Sequence, residues 1–106
     1  MAYDEGLADR VRELMAGEPG LVEKKMFGGL AVMLDSNMAC GVMGDEVVIR
    51  IDSATVDQAL AEPGTRPFTM SGRPAKGFIL VAGTAETDLR GWVNRGIAYA
   101  RSLPPK

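Results

Sequence analysis

Five cations in this chain are spaced so that they could bind an anion together. They are Lys24 and Lys25 before a double glycine, Arg50 at the end of an apolar run, and Arg73 and Lys76 in a glycine- and proline-rich segment. Guanidinium and ammonium groups beside free glycine amides suit a phosphate, a nucleic acid or an acidic protein surface. Because cations are common on every protein surface, separate solvated side chains are the competing interpretation.

The absence of histidine narrows the chemistry more than any motif does. The 106 residues include no histidine and a single cysteine, Cys40. Histidine is the commonest general base and a leading metal ligand, so a Ser-His-Asp or Cys-His mechanism within one chain is excluded. A metal site would have to combine one thiolate with carboxylates. We therefore predict a protein that is not an enzyme and that needs no metal or cofactor.

The remaining candidate groups fit structural roles better than chemical ones. Cys40 and Met38 are soft ligands suited to Cu(I), but they alternate as core residues of a strand do. The carboxylates of Asp35 and of Asp45 and Glu46 lie at expected turns, where acidic residues usually serve solubility. Neither G-x-G-x-x-G nor G-x-x-x-x-G-K-[ST] occurs, so nucleotide binding on a Rossmann sheet is unsupported.

Composition and charge describe one ordinary domain over residues 1–106. Hydrophobic residues make up 46% of the chain, charged residues 25%, and the net charge of −2 argues against a dedicated nucleic-acid-binding protein. No apolar run approaches the ~18 residues of a membrane span. Because no secretory signal is visible and one cysteine cannot form an internal disulfide, we expect a cytoplasmic protein without a membrane partner.

The hydrophobic spacing predicts elements in the order α-β-β-β-α-β-β-α. The first helix is expected over 4–16 with Asp4 as its cap, and the second over 54–61 with Asp52 or Ser53 as its cap. A loop is expected over 71–77. The expected strands cover 22–34 with a bend at the glycines, 38–43, 46–51, 67–70 and 78–82. This order describes a two-layer α+β domain with one antiparallel sheet.

The last helix carries an apolar stripe and two glycines. We expect Thr84 or Thr87 to cap it. The stripe consists of Leu89, Trp92, Val93, Ile97 and Ala100. Gly91 and Gly96 each weaken a helix by ~1 kcal/mol relative to alanine. We therefore expect that something packs closely against them or that the helix is locally loose.

An ordered set of motifs along nearly the whole chain carries a family resemblance. The motif positions are Met26, Phe27, Gly28, Gly29, Gly72, Pro74, Gly77 and Trp92. A turn at 35–37 and the clear strand at 47–52 lie between the first four and the last four of these motif positions. Taken in order, these features resemble the N-terminal domain of the TfoX/Sxy family. The Met-Phe-Gly-Gly motif could also be a β-bulge with the aromatic ring in the core.

The resemblance implies a secretion-chaperone-like fold, in which a five-stranded antiparallel sheet with the order 1-2-3-5-4 is backed by helices. It also implies a relation to regulators of natural competence, which act as transcriptional coactivators and carry a second, C-terminal domain. This chain would be a standalone member that lacks this second domain. Val32 and Met33 stand where many relatives have aromatic residues.

Three functional hypotheses remain at this point. The first is a non-enzymatic protein-interaction module in transcriptional regulation, with an exposed sheet edge or face forming a homodimer and with Arg73 and Lys76 giving polar specificity. The second is direct nucleic-acid binding through a basic loop, helped by Arg101, with affinity that falls steeply with salt. The third is a small-ligand-binding protein or an enzyme with a pocket near Gly28 and Gly29.

Overall fold

One antiparallel sheet organises the part of the chain that the computed structural model describes, residues 3–26, 28–70, 72–83 and 88–104. Helices α1, α2 and α3 span Glu5–Leu14, Val56–Leu60 and Leu89–Ser102, and a 3₁₀ turn at Ser53–Thr55 leads into α2. Strands β1 to β6 span Leu21–Met26, Gly29–Leu34, Asn37–Met43, Glu46–Arg50, Thr65–Met70 and Arg73–Ala82.

The sheet has six strands in the order β1-β2-β3-β4-β6-β5. The α+β class and the antiparallel sheet are confirmed, whereas the prediction of five strands in the order 1-2-3-5-4 is wrong. The reason lies at Gly28, whose φ of 74° is open to glycine but strained for other residues. The chain reverses there, so that Met26 lies opposite Gly29. The segment 22–34, expected as one bent strand, is therefore a hairpin.

The segment 71–77 is the second correction, because most of this predicted loop is strand. β6 begins at Arg73, which lies opposite Met70 of β5. Further along β6, the carbonyl of Gly77 accepts a hydrogen bond of 2.8 Å from the amide of Ile51. Glycine and proline suggested a loop, but Arg73 and Pro74 pair with β5, and within β6 only Gly77, with a φ of 80°, departs from the extended conformation. Of the predicted loop, Gly72 keeps a turn conformation, with a φ of 78°, and Ser71 lies outside the described residues.

Side-chain caps fix where two helices and the 3₁₀ turn begin. Asp4 accepts a hydrogen bond of 3.1 Å from the amide of Leu7, as predicted for α1. Asp52 caps the 3₁₀ turn in the same way, through the amide of Ala54 at 2.9 Å. α3 is capped by Asp88. The expected caps of α3, Thr84 and Thr87, lie outside the described residues.

The core lies between the helices and one face of the sheet. Val47 and Ile49 of β4, and Ile51 directly after it, alternate with residues that point away, and all three are at most 5% exposed. α3 supplies Trp92, 6% exposed, and Val93 to the same cluster. Because every described helix packs on this one face, the opposite face of the sheet is left without a helix.

The tight turn between β2 and β3 offers a stabilising substitution. Asp35 and Ser36 form its two-residue loop, with φ of 50° and 68°. Positive φ at both positions matches a type I′ turn, for which Asp-Gly is a preferred pair. We expect Ser36→Gly to raise the free energy of unfolding by about 0.5–1 kcal/mol, measured by urea denaturation. Ser102→Gly, on the exposed end of α3, is the control and should not stabilise the protein.

Candidate functional site

The face of the sheet opposite the helices is apolar at its centre. Register places Ala31, Gly41, Val48 and Leu80 side by side on β2, β3, β4 and β6. We call this row the trough. Ala31, Val48 and Leu80 are 3%, 2% and 7% exposed, although they are not part of the core cluster under the helices. We call this whole side of the sheet the open face.

Three methionines flank the trough. Met33 and Met38 lie opposite each other on one side of it, and Met43 lies on the other side. All three are half-buried. The methyl carbon of Met38 lies against Gly41, 3.0 Å from where a Cβ would stand at that position. A long, unbranched thioether side chain therefore covers the trough at Gly41, and methionine is the residue that adapts most easily to a partner surface.

Charged residues lie at both ends of the trough. On β1, Lys24 lies opposite Ala31 and is exposed. On β5, Arg66 lies opposite Leu80 and forms an ion pair with Glu46. This hydrogen-bonded contact raises the pKa of Arg66 above its ordinary value. The trough is thus an apolar strip with an exposed cation at one end and a neutralised pair at the other.

Arg50, the last residue of β4, forms an aromatic cation site between β6 and α3. Its Cζ lies 4.9 Å from the centroid of the Phe78 ring and 5.5 Å from that of the Tyr99 ring. Phe68 packs edge-on against Phe78 with the centroids 6.0 Å apart. The Nε of Arg50 is buried, and no described residue accepts its hydrogen bond. A guanidinium held between two rings without an acidic partner is suited to receive a carboxylate.

The five predicted cations do not share one place in the sheet. Lys24 and Lys25 are exposed on β1, at one edge. Four strand spacings, about 19 Å, separate β1 from β6, which carries Arg73 and Lys76. Arg50 lies on β4 next to β6, so its backbone is close to that of the Lys76 segment. The side chains of Arg73, Pro74 and Lys76 lie outside the described part.

The motif glycines and Trp92 serve the fold in different ways. A Cβ at Gly29 would stand 2.5 Å from the carbonyl oxygen of Val42, so β2 and β3 approach closely there. Gly28 makes the hairpin turn, and Trp92 is a core residue. Phe27 and the side chain of Met26 lie outside the described residues. Both glycines of the motif are therefore required by the fold, Gly28 for its backbone conformation and Gly29 for the close approach of β2 and β3.

Cys40 belongs to the core, as predicted, whereas the prediction of Met38 as a core residue is wrong, because the register shift at Ala39 turns Met38 to the open face. Cys40 is fully buried, and its Sγ lies 3.2 Å from the Sδ of Met15. Burial raises the pKa of the Cys40 thiol to about 12. The thiol is therefore protonated and unreactive at neutral pH. Among the residues that the structure describes, no three potential metal ligands come together.

The structure has a cleft between α2 and α3 that no sequence pattern indicated. It encloses about 550 Å³, and Ile51, Ala59 and Tyr99 are among its lining residues. Glu62 and Arg95 at its side form an ion pair of 2.7 Å, which lowers the pKa of Glu62. The cleft is a tertiary feature between two elements, which local sequence does not encode. It is not the pocket beside the double glycine that the sequence suggested.

Comparison with known proteins gives one match. A sequence model described as the TfoX N-terminal domain matches residues 13–100. This range contains all six strands, the open face and most of α3. No curated protein and no solved structure matches the chain.

In the part of the chain that the structure describes, no helix is long and apolar enough to cross a membrane.

Proposed function

The chain belongs to the TfoX N-terminal domain family, and on that premise we propose that it is a non-enzymatic interaction module in transcriptional regulation. Its open face binds a protein partner, and the regulated genes are of the competence type that the family relation suggests. The observation that carries this proposal is the trough, an apolar strip that methionine side chains flank and that no described helix covers.

The composition of the open face supports protein binding more than ligand binding. Aromatic residues, methionine and arginine are enriched in protein interfaces, and lysine and glutamate are depleted at their centres. Met33, Met38 and Met43 lie beside the trough on the open face, and Arg50 packs against Phe78 at the end of β4. Arginine beside aromatic rings is also typical of residues that dominate binding energy.

The chemistry of the partner follows from the same residues. An apolar segment would pack against the half-buried methionines beside the trough, while an acidic group of the partner would pair with Arg50. Since the guanidinium of Arg50 is held by two aromatic rings, a carboxylate of the partner would pair with that cation by a charge-assisted interaction. The proposed partner is therefore a protein segment with apolar and acidic residues.

The proposal predicts that Met38→Lys and Arg50→Ala each weaken capture of the partner at least ~10-fold, because interface centres often lose more than 1 kcal/mol on truncation. Capture is measured with the tagged protein in the cytoplasm of the source cells, at low and moderate salt, with and without nuclease. Arg90→Ala is the matched control. Arg90 is an exposed arginine on α3, away from the open face.

Two results would overturn the proposal. Equal capture by wild type and by both variants would place the contact elsewhere on the protein. Recovery that disappears with nuclease, or that falls steeply with salt, would indicate direct nucleic-acid binding instead. Circular dichroism of each variant shows that the fold is retained before binding is compared.

A further inference from the structure

The two edges of the sheet differ in their ability to accept another strand. The outer strand β5 contains Pro67, and its register with β6 shifts between Pro67 and Thr69. Both features oppose pairing with a further strand. β1, at the other edge, has no proline and pairs with β2 in unbroken register over all six of its residues. An added strand would therefore join at β1.

The backbone of β1 has a defined set of groups that point outward. The carbonyl of Gly20 accepts a hydrogen bond of 3.2 Å from the amide of Asp35, just beyond the β1–β2 ladder. Because hydrogen-bonded pairs alternate along an antiparallel ladder, the even-numbered residues of β1 bond to β2. Leu21, Glu23 and Lys25 therefore direct their amides and carbonyls away from the sheet.

The side chains of β1 are also exposed. Residues 22–25 are all exposed, and Val22, at 51%, is the one large hydrophobic residue exposed to that degree in the described part of the chain. Lysine on an edge strand usually opposes pairing between chains. Here Glu23 is followed by Lys24 and Lys25, so an antiparallel copy of the same strand can place Glu23 opposite Lys25.

We propose that two copies of this chain join through β1 and form one continuous antiparallel sheet of twelve strands. A two-fold axis perpendicular to the sheet places residue i opposite residue j and residue j opposite residue i. With Lys24 on the axis, Glu23 lies opposite Lys25 of the second copy, twice. These two residues have outward-facing backbones, so the same register satisfies both the hydrogen bonds and the charges.

Charges around this register favour it. Glu23 and Lys25 both point to the helix side of the sheet, because they lie opposite Val32 and Leu30 of β2. Arg12 of α1 holds the Glu23 carboxylate with bonds of about 3.0 Å and so fixes its position. Lys24 meets its own copy on the open face, where it is exposed and solvent screens the repulsion.

The test uses charge reversal at the two facing positions. Glu23→Lys and Lys25→Glu each place like charges opposite one another in a homodimer, so self-association should weaken about 10-fold or more. In an equimolar mixture of the two variants, every lysine at these positions faces a glutamate. Sedimentation equilibrium should therefore show a mixed dimer as strong as that of the wild-type protein. Thr69→Lys on the opposite edge strand is the control and should leave the dimer unchanged.

Two results would contradict the inference. One is a wild-type protein that stays monomeric up to about 1 mM. Another is a mixture that associates no better than either variant alone. The inference goes beyond the proposed function and does not rest on it. The β1 variants should still capture the partner, and Met38→Lys should still dimerise, so the two proposals can fail separately.

Discussion

Replacing Trp92 with alanine should lower the free energy of unfolding by ~3–5 kcal/mol. The ring is 6% exposed within the core cluster, and its loss leaves a cavity under α3. Domains of this size are stable by only about 5–15 kcal/mol, so the variant should melt roughly 15–30 °C lower than wild type. Because Trp92 is the single tryptophan of the chain, unfolding is best followed by far-UV circular dichroism in urea.

Two further variants separate the packing of the ring from its contact with a cation. The Cζ of Arg95 lies 4.2 Å from the centroid of the Trp92 ring. Trp92→Phe keeps most of the buried surface and should retain most of the stability. Arg95→Ala removes the exposed cation and should have a much smaller effect than Trp92→Ala. If the two alanine variants were equally stable, the ring would not be part of the core.

Local signals predicted most of the elements because they do not depend on tertiary context. Asp4 before an amphipathic run fixes the start of α1, and the β-branched run at 47–51 can form little other than a strand. The stripe containing Trp92 and Val93 likewise identified the buried side of α3. In each of these cases the sequence pattern and the final packing require the same conformation.

The errors arose where neighbouring strands decide the conformation. A double glycine permits both a bend within one strand and a full reversal, and only the pairing of β1 with β2 selects the reversal. Gly72, Pro74 and Gly77 are typical of a loop, but Arg73–Ala82 forms a strand that pairs with β5 and β4. In both cases the residues of the segment itself allow either conformation, and only pairing with other strands selects one.

The open face had a signal in the sequence that is easy to misinterpret. Val48 lies between Val47 and Ile49, and Leu80 lies between Ile79 and Val81. Such unbroken apolar runs are typical of strands that are buried on both faces. The structure provides helices for one face only, so the runs point to a surface that a partner can cover. Apolar runs do not indicate which strands are neighbours in a sheet. The distance between the cations of β1 and those of β6 could therefore not be predicted from the sequence.

Gly96→Ala is expected to destabilise the protein, although helix propensity alone predicts a gain of ~1 kcal/mol. A methyl group at this position would overlap the carbonyl oxygen of Ala39 in β3. Ala39 is the additional residue at an irregularity of the β2–β3 ladder, where Val32 pairs with Cys40 but Met33 pairs with Met38. Since β3 and α3 are both regular elements held by the core, neither can move away without disturbing other contacts.

We expect a net loss of about 2–3 kcal/mol for Gly96→Ala from overpacking. The matched control is Ala98→Gly, at an exposed position of the same helix, which should lose about 1 kcal/mol from helix propensity alone. Both are measured by urea denaturation. A higher midpoint for Gly96→Ala would mean that α3 lies farther from β3 than the structure places it. A larger loss than in the control would mean that the glycine is required by the close approach of the helix to the sheet.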